Sequence, residues 1–462
     1  MLDLLEYIVK KAEKQGASQA ETYFYGTELL RTGIEKKQVK ISEKKYDAGI
    51  GIRVAVKKTD GFSIGFSYLT NLTKKAADDA VKQALKVASF KKPDSDFKSF
   101  QEHKPTKTVK KIYDKQIVKI EPEKIVDLAT DLIKAVETDK RITTISGALG
   151  LGIVKVAIAN SLGVSGEFKK TGYGAYGYVV AQEKGSVGVG GDSYTACFFN
   201  EEKTFNAFKK ARDLAIRQLN PKTIKTEKMD VLLQPDALAS LLTSTLIPEV
   251  RADNIQKRQS PFVEKMGQMV ASENLTVIDD GLTPQAAGSK PFDDEGCPTQ
   301  TTTILNKGQL QNFLYNSYTA RKDNVPSTGN AIRIVGGFTY KPKYAVEPLI
   351  GPTNFKLCAG EKSAQAKFED IVSEVKNGVI AKEVIGAHTA NAASGEFSVV
   401  LDTAFKVEKG EVAYPVRQAM LGGNILDALK NVVLFADDFK QVGGEETVIS
   451  STILIKNVRV SG

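Results

Sequence analysis

The feature that most limits the folds open to this chain is a stretch of β-type sequence from Glu21 to Tyr68 with a helical pattern on either side. The segments AETYFYG, QVKISEK and GIGIRVAV alternate or run apolar, as strands packed on a core do, and Thr59-Asp60-Gly61 offers a hairpin turn into FSIGFSYL. Strands that follow one another through short turns form an antiparallel sheet, and its apolar face needs a helical layer to cover it. Leu2, Leu5, Ile8, Val9 and Ala12 supply one such face. A second helix, capped near Asn71 or Thr73, turns Ala76, Ala77, Ala80, Val81, Ala84, Leu85 and Ala88 inward.

The pattern then repeats. Residues 90–111 are rich in Lys, Pro and Ser and read as a surface linker. Glu121-Pro122 opens a helix to about Thr138, with Pro122 suited to the first helical turn. Glycine-dense strands follow from Ile142 to Ala196, then a helix over roughly 199–218 that Asn220-Pro221 ends. The main boundary falls near 225. Beyond it come the strand MDVLLQ, the apolar helix PDALASLLTSTLI, and the β-rich stretches ASENLTVIDDG, TTTILNKGQL, GEFSVVLDTAFKVEKGEV and TVISSTILIKNVRV. At 462 residues the chain exceeds a single core. The reading is an α+β protein of two lobes, an N-terminal sheet with helices and a mainly antiparallel, barrel-like C-terminal lobe. Its regions are 1–89, the linker 90–111, 112–225 completing the first lobe, and 226–462.

No apolar run approaches the ~20 residues that span a bilayer, and the amphipathic start MLDLLEYIVKKAEKQG lacks the pattern of a secretion signal, so the expected location is cytoplasmic. Three widely spaced cysteines imply no disulfide framework. The net charge of +9 could draw nucleic acid or acidic peptides. The lysines are scattered, however, with no recognition helix or aromatic RNA motif, so nucleic acid is not the expected partner.

Several chemical motifs fail on context. Gly61-Phe-Ser63-Ile-Gly65 has the spacing of a nucleophile elbow but leaves a hairpin turn into an alternating strand, where the elbow needs strand, sharp turn and helix. The glycines from Gly147 to Gly191 form no G-x-G-x-x-G opening a helix and suit turns or close backbone approach instead. A catalytic zinc needs about three protein ligands, yet the chain has two histidines, His103 and His388, and no Cys-x-x-Cys or His-Glu-x-x-His.

Two polar stretches remain. Phe292-Asp293-Asp294-Glu295-Gly296 packs three acids into a turn, and Ala387-His388-Thr389-Ala390-Asn391 sets a lone histidine among small polar residues before Ser394-Gly395-Glu396-Phe397. Turn chemistry accounts for both. A functional use is peptide binding, with acids holding an N-terminal amine and exposed groups meeting extended backbone.

The same stretches carry a family likeness. KISEKKYDAGIGIRV paired with DGFSIGFSYL, SKPFDDEGCPTQTTTILNKGQLQNFLYN, and HTANAASGEFSVVLDTAFKVEKGEVAYPVR resemble, in order and spacing, the TldD/PmbA family, and the last resembles its PmbA (TldE) branch. The likeness covers essentially the whole chain. It implies a two-lobed protein, often paired with a second family member and associated with proteolysis of short or unfolded peptides; members also carry the name modulator of DNA gyrase. The TldD branch has a His-Glu-x-x-x-His sequence on the helix that opens the C-terminal lobe. Here the matching positions in PDALASLLTSTLIPEVRAD are Thr243, Ser244 and Pro248, and no cysteine follows Cys358 to complete such a site.

The resemblance therefore implies a subunit that binds no metal itself, with zinc expected in a TldD-like partner as a heterodimer, or a homodimer when alone. Peptide contacts are expected at Asp293, Asp294, Glu295, His388, Thr389 and Asn391, with extended substrate added to an edge strand of the C-terminal lobe. The alternatives are an autonomous peptidase centred on His388 and a gyrase-associated or nucleic-acid-binding modulator.

Overall fold

A computed structural model describes residues 1–334, 341–444 and 446–462. The first lobe opens with helix α1 (Leu2–Lys14), then strands β1 (Gln19–Glu35), β2 (Gln38–Lys58) and β3 (Gly61–Leu69) and helix α2 (Lys74–Phe90). After an irregular stretch come α3 (Pro122–Val136), β4 (Ile142–Asn160), β5 (Ser165–Glu183), β6 (Ser186–Ala196) and α4 (Glu201–Arg217). The six strands form one antiparallel sheet in the order β3-β2-β1-β4-β5-β6, curved into a half-barrel.

All four helices cover one face of this sheet. Leu5, Ile8, Val81 and Ala84 of α1 and α2 pack on Phe24, Ile50 and Ile52. Ile125, Leu132, Phe208 and Ala211 of α3 and α4 pack on Leu149, Ala175 and Val179. The glycine density in β6 has a packing cause here: a side-chain carbon at Gly188 or Gly190 would lie 2.1 or 2.2 Å from a backbone oxygen of α4. Thr73 caps α2, its hydroxyl accepting from the Ala76 N–H at 3.3 Å.

Two features of this half go beyond what local sequence announces. QVKISEK and GIGIRVAV are one continuous 21-residue strand, β2, reached through a turn at Lys36 and Lys37 with φ of 49° and 65°. Lysine is an unusual tenant of that turn, which Asn and Gly favour, so nothing local announces it. The stretch 90–111 is more than a surface linker: Phe97 and Phe100 are buried with Ala55, and their rings meet edge-on, centroids 5.2 Å apart.

The second lobe begins at β7 (Glu227–Leu233), followed by α5 (Pro235–Ser244) and α6 (Leu246–Glu249). β7 pairs in parallel with Asn377–Ile385, which pairs with Glu396–Glu408, then Met420–Asn424, then Ile453–Ser461 and so back to β7. Five strands thus close into a barrel, as the sequence reading expected of this lobe. A second sheet runs from Gln309–Leu310 through Thr301–Asn306, Leu275–Asp280, Asn354–Ala359 and Thr447–Ser450 to Lys440–Gly443. Leu238, Leu241 and Leu242 of α5 share one core with barrel residues such as Val379 and Val399 and with Val277 and Phe355 of the second sheet. TVISSTILIKNVRV is divided: Thr447–Ser450 lies in the second sheet and Ile453–Ser461 in the barrel.

Candidate functional site

The expected helix over PDALASLLTSTLI breaks at Thr245, whose backbone stands at φ −124° and ψ −90°. A proline interrupts a helix by meeting the carbonyl four residues before it, which for Pro248 is that of Ser244. Pro248 therefore ends α5 at Ser244 and leaves α6 as a separate turn. Thr243 is exposed and its hydroxyl donates back to the Ala239 carbonyl at 2.8 Å; Ser244 and Pro248 are half-buried.

Beneath the break lies Glu249, which sequence reasoning missed. Its side chain is fully buried, and neither carboxylate oxygen has a hydrogen-bond partner among the described residues. Burial pushes its carboxyl up to about 8, so it is a neutral acid at pH 7. The nearest trace in the sequence is a glutamate following proline in an apolar run, too common a pattern to single out.

The histidine turn packs beside α5. Gly386, at φ +93°, starts it, and Thr389 donates to the Gly386 carbonyl at 2.8 Å. Asn391 Oδ1 accepts from the Ala393 and Ser394 N–H groups at 3.0 and 3.3 Å, shaping the return into the strand Glu396–Glu408. His388, Thr389 and Asn391 are all exposed. The structure thus sets the three together on the surface near the α5 break.

The acidic turn lies elsewhere. Asp293, Asp294 and Glu295 are 0–2% exposed and engaged inside the protein, so an amine reaching them as expected would have to displace internal partners. Asp293 accepts from the N–H groups of Glu295, Cys297 and Ala331, each at 2.9 Å. Asp294 pairs with Lys290 at 3.0 Å and Lys343 at 3.2 Å and accepts from the Arg333 N–H at 2.7 Å. Glu295 accepts from Arg53 at 3.0 Å and the Ser317 N–H at 2.9 Å. Burial pushes all three carboxyls up. For Asp294 the Lys290 and Lys343 charges outweigh it and hold the group well below the carboxylate range, and Arg53 does the same for Glu295. Asp293, beside the Glu295 charge, stays raised. The turn joins the lobes, because Arg53 and its partner Glu21 belong to the first.

A second ionic junction surrounds the start of α5. Asp236, in its first turn, receives Lys440 at 2.9 and 3.0 Å and also pairs with Lys382; Lys440 reaches Asp192 of β6 at 2.5 Å. It borders a cleft of about 920 Å³ lined by Lys203, Lys210 and Arg217 of α4, by Asp192 and Asp236, and by Phe405. Cations and carboxylates from both lobes face each other there, above an apolar floor. Such a lining suits zwitterionic, mixed-polarity ligands such as peptides. The edge strand Lys440–Gly443 contributes Lys440 and Gln441 to it.

Zinc, which the resemblance associates with these folds, finds no fit. The hydroxyls of Thr243 and Ser244 are poor ligands beside His and Cys. Among the described residues no group of three His, Cys, Asp or Glu is placed to hold a metal ion.

Compared with known proteins, the chain matches the PmbA/TldA metallopeptidase domain 1 over residues 20–88, the central domain over 115–219 and the C-terminal domain over 226–462. An uncharacterised protein of Methanocaldococcus jannaschii is 29% identical over 98% of each chain. Among solved structures, TldE from Thermococcus kodakarensis has the same fold, with a TM-score of 0.90 at 23% identity over 99% of this chain and 100% of its own. A Thermotoga maritima protein named as a modulator of a DNA gyrase gives 0.86 at 27% identity over 99% of both.

Proposed function

The chain belongs to the TldD/PmbA metallopeptidase family, and from that premise we propose that it is the non-hydrolytic subunit of a peptide-cleaving pair. The observation that carries the reading is the break in α5. Where the TldD branch places two histidines and a glutamate, this chain has Thr243, Ser244 and Pro248, and the helix that should align them stops at Ser244. Zinc peptidases activate a metal-bound water with a nearby general base. Neither ligand nor base is supplied at this position. Glu249, four residues past the break of the helix, is sealed in the core and protonated at neutral pH, unfit as a base toward solvent water.

The chain's contribution is then to shape and hold. The interlobe cleft, with its opposed charges and Phe405, receives a short or unfolded peptide, and the exposed turn His388–Asn391 meets peptide or partner at the α5 break. The closed barrel offers no free edge along its ring, so strand addition falls to the second sheet, whose terminal strand Lys440–Gly443 borders the cleft. The zinc and the general base come from a TldD-like paralogue.

The test is peptide hydrolysis by the chain alone, by a TldD-like partner alone and by the two co-expressed. Cleavage by the pair, with none by this chain, supports the reading; robust cleavage by the isolated chain rejects it. The single exposed histidine of the turn favours no separate metallopeptidase centre, since among the described residues no group of three His, Cys, Asp or Glu is placed to hold a metal ion.

A further inference from the structure

We propose that the side-chain amide of Gln441 is a removable plug between two cavities, and that a peptide entering the interlobe cleft displaces it with one of its own backbone amides. The inference rests on the reading above that this cleft receives peptide, and adds where the chain lies and what it displaces.

Two sheets end at the cleft. β6 is the outer strand of the first lobe's sheet, and Lys440–Gly443 is an outer strand of the second sheet of the other lobe. Just past β6, the Cys197 N–H donates to the Gln285 carbonyl at 3.3 Å. In an antiparallel pair the next bond runs from the Ala287 N–H to the Thr195 carbonyl, two residues on in one segment and two back in the other. Here that bond is split. The Ala287 N–H donates to Gln441 Oε1 at 3.3 Å, and Gln441 Nε2 donates to the Thr195 carbonyl. A glutamine amide from a third segment thus sits inside a main-chain pair, at the point where the two lobes would otherwise zip together.

Its position separates two spaces. Gln441 and Ala286 line the cleft of about 920 Å³, while Ala287 and Gly288 line a cavity of about 520 Å³ against the first lobe's sheet. Ser193, Thr195 and Ala196 of β6 line both. The amide that spans from Thr195 to Ala287 therefore stands on their boundary.

Backbone chemistry selects the occupant. One wall of the slot offers an acceptor, the Thr195 carbonyl, and the other a donor, the Ala287 N–H. A trans peptide group presents its N–H and C=O on opposite sides, so one peptide group of an extended chain makes the same two bonds as the Gln441 amide. The exchange keeps the number of hydrogen bonds and returns a half-buried glutamine to solvent with its rotamer freedom regained. The Ala287 wall does not need the plug. The Gln285 N–H donates to the Lys111 carbonyl at 3.2 Å, and the Gly288 N–H donates to Asn354 Oδ1 at 3.0 Å.

The test titrates the isolated full chain with a fluorescein-labelled Val-Ser repeat peptide, so neither hydrolysis nor a partner enters the readout. Gln441→Ser, too short to span the slot, is expected to bind the peptide at least about fivefold more tightly than wild type, because an internal competitor has been removed. Peptides N-methylated at every valine or at every serine each lose one of the two sets of N–H groups. At least one of them is expected to bind wild type about threefold or more weakly, a result that does not depend on how the variant folds. Hydrogen exchange reads the plug itself: the Ala287 N–H should exchange faster in Gln441→Ser than in wild type and slow again when peptide is added. An Ala287 N–H that stays protected in Gln441→Ser without peptide has closed directly on Thr195, and overturns the proposal. So does equal affinity of wild type and Gln441→Ser, full affinity of both methylated peptides, or no peptide binding by either folded chain. Equal affinities remove only the plug and leave the cleft as a peptide site; hydrolysis by the pair decides the reading beneath it.

Discussion

Arg53 of the first lobe holds Glu295 of the second at 3.0 Å, with both side chains almost wholly withdrawn from solvent. The same guanidinium grips Glu21 through two hydrogen bonds of 2.9 Å and lies over the Phe100 ring at 4.9 Å. Arg333 closes the circuit, meeting Glu21 at 2.9 Å and stacking on Tyr23 at 4.5 Å. The family's acidic turn is thus the rivet between lobes. That fixes the cleft walls relative to one another and places Lys290 and Lys343 against the half-barrel.

Arg53→Met is therefore expected to destabilise the protein by about 3–5 kcal/mol, the usual cost of stripping one partner from a buried ion pair. Urea unfolding reads this as a lower midpoint. A loss below about 1 kcal/mol, the range of exposed pairs, contradicts the buried junction.

Glu249 predicts a pH dependence of stability. Its folded pKa is raised, to about 8 from an ordinary 4.5, by burial. Between those values the native state keeps a proton that the unfolded chain has released, so stability is full below about 4.5 and falls as pH rises through 8. Glu249→Gln keeps the shape without the charge and is expected to flatten that slope. The check is the difference in melting temperature between variant and wild type, which should widen from pH 5 to pH 8.5. A constant difference contradicts the buried neutral acid.

The exposed turn separates binding from folding. Among the described residues His388 makes no cap or ion pair that shapes the turn, so His388→Ala should change stability by no more than about 0.5 kcal/mol. Asn391→Ala, which removes the acceptor for two backbone N–H groups, should cost about 1 kcal/mol. If the turn touches peptide, His388→Ala lowers kcat/KM of the paired complex at least about fivefold, ~1 kcal/mol, at unchanged melting temperature. An unaltered kcat/KM removes His388 from the site.

Much of the architecture could be read from residues because the physics there is local. The α2 cap at Thr73, Pro122 at the start of α3 and the turn at Thr59-Asp60-Gly61 all announce themselves within a few positions. The Lys36-Lys37 turn did not, since its conformation is imposed by the pairing of β1 with β2 rather than by turn-forming residues. The site was less legible. Asp293, Asp294 and Glu295 look like exposed turn acids until Arg53, Arg333, Lys290 and Lys343 arrive from distant segments to bury them. Glu249 stands out by what does not touch it, which periodicity and spacing cannot report.

The most direct test of the helper assignment pairs this chain with a TldD-like partner whose motif glutamate has been replaced by glutamine. The account predicts a complex that assembles and still shelters peptide but no longer hydrolyses it, with activity restored by the wild-type partner. Hydrolysis persisting in that complex, and lost when Thr243, Ser244 or His388 of this chain is changed, would contradict it.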